Sequence, residues 1–181
     1  MVFVFLMNAA TPPSIAQAAE EREMEITIPK HLPIKVRIKE EKEKAFKDLK
    51  NAKWMRDLEL EITNTGDKPI YLLSLIIISE ITSPYQIGPI ENKMGFSMHY
   101  GRSELGDIET KAAPDDIPIK PGETYVFSFP AREQVAWDRF RKRENKPDAK
   151  KLILKFQILS FGDGTGFWGN EGMAVPHGPD N

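Results

Sequence analysis

Residues 70–79 read IYLLSLIIIS, and this run constrains the chain more than any other part of it. Successive side chains on a strand point to opposite faces, so Leu72, Ile76 and Ile78 fall on one face and Tyr71, Leu73, Leu75 and Ile77 on the other. A strand that is apolar on both faces has to be covered on both. The chain therefore needs a second layer over this strand: a partner sheet, a packed helix, or another copy of itself. Ile outnumbers Leu in the sequence. Because β-branched side chains lose rotamer freedom in a helix and pack well on a pleated surface, that bias also favours sheet.

Other segments support the same reading. From Leu32, Ile34, Val36 and Ile38 alternate with Lys35, Arg37 and Lys39, the pattern of a strand with one wet face. Leu58, Leu60 and Ile62 alternate with Asp57, Glu59 and Glu61. The NTGDKP stretch then predicts a hairpin into residues 70–79, with Asn and Gly supplying left-handed backbone. Residues 95–100, 124–129 and 151–161 read as further strands, and Pro121 and Gly122 as a tight turn. Residues 39–53 read as a short helix carrying Phe46 and Leu49 or as a solvated connection. Residues 131–144 read as an amphipathic helix with Val135, Trp137 and Phe140 partly on one side.

The amino terminus has the layout of an export signal. Residues 2–7 are apolar, a small and polar stretch follows, and the first charge is Glu20. Ala16 and Ala18 stand in the A-x-A relation read by signal peptidase, so residues 1–18 are expected to be a signal peptide. No basic residue precedes the apolar run, which fits a signal whose start is truncated. The expected location is periplasmic or extracellular. Six apolar residues are too few to cross a bilayer, which takes about 20, and no later segment approaches that length, so no transmembrane span is expected in the mature form.

The strand order, the NTGDKP turn, the later KPGETYVFSF and the final LKFQILSFGDGT together resemble immunoglobulin-like β-sandwich domains of exported bacterial proteins. The resemblance implies a mainly β, antiparallel sandwich over residues 32–168 with a short helical insertion, followed by a flexible tail at 169–181. The insertion departs from a minimal sandwich, and the Cys…Trp…Cys core of true immunoglobulin domains is absent, since the chain has no Cys. These turn motifs imply a fold and carry no activity.

Chemistry-bearing residues are sparse. His31, His99 and His177 lack metal-ligand spacing, and no cofactor or metal motif is present. His99 lies near Ser103 and Asp107, which sets up a secreted hydrolase as the alternative function. A nucleophile, base and orienter meet through the fold from distant segments, however, and no G-x-S-x-G elbow exposes the serine. The pairs Glu40/Glu41 and Asp115/Asp116 sit in solvated text. Asp163 reads as a turn residue, with calcium binding as the competing use of its carboxylate.

The net charge of −2 gives no drive towards nucleic acid. Only residues 139–151 are strongly asymmetric, with Arg141, Lys142 and Arg143 at their centre and Trp137 beside them. That segment reads as a solvated helix end or as a dock for an anionic surface or polysaccharide. Trp137 and Trp168 are the candidate aromatic platform. Phe167 and Trp168 are adjacent, so on a strand one of the two rings points outward, either as a contact anchor or as a cap on the fold. The expected function is an exported, non-catalytic interaction or structural module whose partner is a protein or another copy of the chain.

Overall fold

The computed structural model describes residues 20–82 and 93–176. The expected signal peptide lies outside the described residues. The elements in chain order are β1 (Glu23–Ile26), β2 (Ile34–Ile38), α1 (Glu40–Lys47), α2 (Trp54–Asp57), β3 (Glu59–Asn64), β4 (Leu72–Thr82), β5 (Lys93–Tyr100), β6 (Thr124–Ser128), α3 (Ala131–Glu144), β7 (Lys151–Ser160), β8 (Gly166–Trp168) and β9 (Met173–Val175). The fold is mainly β. One sheet has the order β5-β4-β7-β8-β9, and the other has the order β2-β3-β6.

β4 is the covered interior strand that its two apolar faces require. It pairs antiparallel with β5 on one side and β7 on the other. Its Leu73, Leu75 and Ile77 face the core with Leu152, Leu154 and Phe156 of β7, and the second sheet contributes Leu60, Ile62 and Phe127 to the same cluster. The opposite face of β4 is also closed: Leu72 is buried, and a 3-10 turn at Ser103–Gly106 packs on β4 and β7 while burying Leu105. Each fully buried side chain of this size contributes about 1.5–3 kcal/mol through the area it removes from water.

The structure corrects four expectations. First, the NTGDKP turn does not close a hairpin, because β3 pairs with β2 and β6 while β4 belongs to the other sheet. The turn carries the chain from one layer to the other, and neither Asn64 nor Gly66 has a positive φ. The Asn64 amide sets the reversal instead. It accepts the Gly66 N–H at 3.0 Å and donates to Lys68 O at 2.8 Å and Ile119 O at 2.9 Å. Glycine is needed at 66 because a Cβ there would stand 2.7 Å from Pro33 Cβ.

Second, the ordered sheet begins before residue 32. β1 lies along the first half of the β7 edge, from Lys151 to Leu154, and β8 occupies the second half of that edge. Third, β1 runs parallel to β7, so the pairing is not antiparallel throughout. Fourth, the expected tail from residue 169 supplies β9, which pairs with β8. Of the two readings for residues 39–53 the structure takes the helix over α1 alone, with Phe46 buried and Leu49 beyond its end, and α2 follows outside that range.

Candidate functional site

The basic segment is largely committed to the fold. On α3, Trp137 is 1% exposed, with its ring 5.3 Å from that of Phe96 and 6.4 Å from that of Trp54. This corrects the reading of Trp137 as half of a surface platform: the helix turns its aromatic face inward to close one end of the core. Asp148, just beyond α3, gathers the surrounding donors. Its Oδ1 accepts Trp54 Nε1 at 2.9 Å, Trp137 Nε1 at 3.1 Å and Ala149 N at 3.0 Å. Its Oδ2 faces Arg141 at 3.1 Å and Arg22 at 3.7 Å.

Arg22 is 0% exposed, with its Nε and Nη1 hydrogen-bonded, while Nη2 has no hydrogen bond among the described residues and faces Asp148 only at ion-pair distance. The guanidinium donates to Ala149 O at 2.9 Å and Phe46 O at 2.7 Å, and it lies 4.7 Å from the Trp54 ring. Burial lowers its pKa, and the Asp148 carboxylate opposes that shift. Arg141 is thus spent on an internal ion pair, and Arg143 pairs with Glu144 at 2.7 Å. Lys142 alone of the three named basic residues projects as an exposed side chain with no ion pair among the described residues. The segment as built is mainly the end of a helix tied to its own acids.

His99 sits exposed on β5 opposite Ser74. Ser103 bonds to Glu104 at 3.4 Å, and Asp107 accepts the Glu109 N–H at 3.3 Å. Among the described residues no hydrogen bond links His99, Ser103 and Asp107, so the set named by the hydrolase alternative is not assembled as a triad. No cluster of three His, Cys, Asp or Glu side chains suited to a metal occurs among the described residues. Asp163 is occupied otherwise. Burial pushes its pKa up, but hydrogen bonds from Lys68 at 2.8 Å and from the Thr165 hydroxyl and N–H outweigh that and hold it below the usual carboxylate range. These bonds fasten the turn between β7 and β8.

β8 follows that turn, and its two rings separate as strand geometry demands. Phe167 faces inward, partly buried against the core, with its ring 6.1 Å from His31 and 6.0 Å from Phe161. It packs as a cap on the layer and remains partly exposed. Trp168 faces outward and is 56% exposed. In register with it stand Ile158 on β7 and Met173 on β9, the latter 45% exposed, so three neighbouring strands present an apolar row.

A bulge places Ile158 in that row. Leu75 of β4 pairs with Phe156 and Ser74 with Ile158, which leaves Gln157 as the extra residue. Gln157 is held there, its side chain bonded to Ser74 Oγ at 2.9 Å and its carbonyl accepting the Gly169 N–H at 2.8 Å. The glycine-rich turn beyond Trp168 is anchored as well, since a His31 ring nitrogen bonds Gly172 O at 2.8 Å. The row is therefore a built surface. Sequence reasoning found Trp168 but missed Ile158 and Met173, because their placement depends on the bulge and on β9.

No family model, curated protein or solved structure matches the chain.

Proposed function

We propose that this chain is an exported, non-catalytic interaction module on an immunoglobulin-like sandwich, and that it docks a protein partner through the Ile158–Trp168–Met173 row. The observation that carries the reading is the exposure of Trp168 beside Met173 on strands whose backbone is pinned by the Gln157 bulge and the His31–Gly172 bond. A large, rigid, amphipathic ring held outward in an apolar row is the kind of anchor that dominates protein interfaces. The sandwich reading is supported by two facing sheets that share one core. A periplasmic or extracellular location is supported by the residue pattern of 1–18.

Trp168→Ala tests the function. Removing an exposed ring should change stability by no more than about 0.5 kcal/mol, while co-purification of the partner from the native envelope fraction, or self-association in sedimentation velocity, is lost. A variant that loses several kcal/mol of stability yet keeps its association would overturn the proposal and assign the ring to the fold.

A further inference from the structure

Edge strands carry unpaired N–H and C=O groups, and proteins usually blunt them with charge, proline or shortness. β1 carries Glu23 and Glu25, β2 carries Lys35 and Arg37, β5 begins at Lys93, and β9 has three residues. β6 differs. Its sequence TYVFS has no charge and no proline, consists of residues suited to strands, and exposes all but Phe127.

The hydrogen-bond phase of this edge follows from its neighbours. Asn64 N–H donates to Glu123 O at 2.9 Å, so alternation along the strand turns the backbone of Tyr125 and Phe127 towards β3. The N–H and C=O groups of Thr124, Val126 and Ser128 point the other way and have no backbone partner among the described residues. A groove of about 600 Å³ opens at the start of this edge, lined by Tyr100, Ile117 and Tyr125 with Asp115 and Glu123 on its rim. Ile117 is 78% exposed, and the Tyr100 and Tyr125 rings meet edge-on at 4.6 Å. The nearby Arg102 is neutralised by Asp116 at 3.0 Å, which leaves the rim acidic.

We propose that the β6 edge accepts an extended segment of a partner protein as an added strand, with an apolar side chain of that segment against Tyr100, Ile117 and Tyr125 and flanking Lys or Arg residues against Asp115 and Glu123. Backbone pairing supplies affinity in this mode of recognition, and the alternating pockets supply specificity. The acidic rim selects basic over acidic segments. The β6 edge belongs to the other sheet from Trp168, and the groove beside it takes Tyr100 from the far end of β5, so none of its residues is shared with the Ile158–Trp168–Met173 row.

The test uses the full chain and fluorescein-labelled synthetic peptides followed by anisotropy: one alternating Lys with Val and Phe, a second with Glu in place of Lys, and a third as the first but N-methylated at alternate amides. The Lys peptide should bind saturably, and the other two at least about tenfold more weakly. Val126→Pro removes an outward N–H without breaking the ladder to β3, and proline is tolerated at such edge positions. It should weaken the Lys peptide about tenfold with an unchanged melting transition, whereas Trp168→Ala should leave that binding intact. Should Val126→Pro fail to fold, the combined Asp115→Lys and Glu123→Lys variant takes its place with the same expected loss. Equal affinity for the Lys and Glu peptides, or unaltered binding by a folded Val126→Pro variant, overturns the proposal. So does self-association that Val126→Pro abolishes in the absence of any peptide binding, since the edge would then join copies of this chain.

Discussion

Replacing Asp148 tests whether one carboxylate holds the helical end of the fold to the sheets. In Asp148→Ala the indole N–H groups of Trp54 and Trp137 lose their acceptor inside the core, where both side chains are 1% exposed. Each buried donor left unsatisfied costs about 1–3 kcal/mol. Arg22 also loses the carboxylate facing it, and breaking a buried pair costs about 3–5 kcal/mol. Two features reduce that sum: Arg22 keeps its bonds to Ala149 O and Phe46 O, and Asp148 itself is partly open to water. A net loss of about 4 kcal/mol follows, against a total of about 5–15 kcal/mol for a typical domain. At about 2–4 °C per kcal/mol, the melting midpoint should fall by roughly 8–16 °C. Asp148→Asn keeps an acceptor for the two indoles while removing the charge, so its loss should be about half as large. Urea and thermal denaturation of the three proteins decide the matter. An Ala variant within about 1 kcal/mol of the parent, or Ala and Asn variants of equal stability, would refute the reasoning.

Two further outcomes are expected. Leu72→Asp places a carboxylate on the closed outer face of β4 and should leave the chain unfolded by circular dichroism; a cooperative transition within about 2 °C of the parent would show that this face is not sealed. Asp116 is held below the usual carboxylate range first by its hydrogen bond from Arg102 and then by the Ala113 N–H. A depressed folded-state pKa means that its contribution is present above the ordinary carboxylate pKa and is lost as pH falls through the lowered value. Acidification should therefore speed amide exchange at Ala113 relative to the neighbouring core, and Asp116→Asn should remove that step. Identical pH profiles in the two proteins would contradict the assignment.

Much of the architecture is local and was legible in the sequence. Two-sided burial of β4, one-sided alternation in β2 and β3, the strand at β6 and the helix at residues 131–144 all follow from the period of their apolar residues, which short-range geometry imposes whatever the partner. The opposition of Phe167 and Trp168 is of the same kind. What the pattern could not supply is which ring faces out, which strand pairs with which, and where an alternation reverses. Straight alternation from Leu152 through Phe156 would turn Ile158 inward, and only the extra residue at Gln157 sends Ile158 out and Leu159 in. The NTGDKP turn carries the residues of a hairpin, yet the Asn64 amide ties it to Ile119, 55 residues away, and the chain changes sheets. Trp137 adjoins a strongly basic stretch and is nevertheless core, because the Trp54 and Phe96 rings arrive from other parts of the chain to pack on it while the nearby Asp148 accepts its indole N–H. Side-chain periodicity is determined by the backbone of a few residues, whereas strand partners, register and the covering of a face depend on contacts between segments far apart in sequence, and those are decided only when the layers pack.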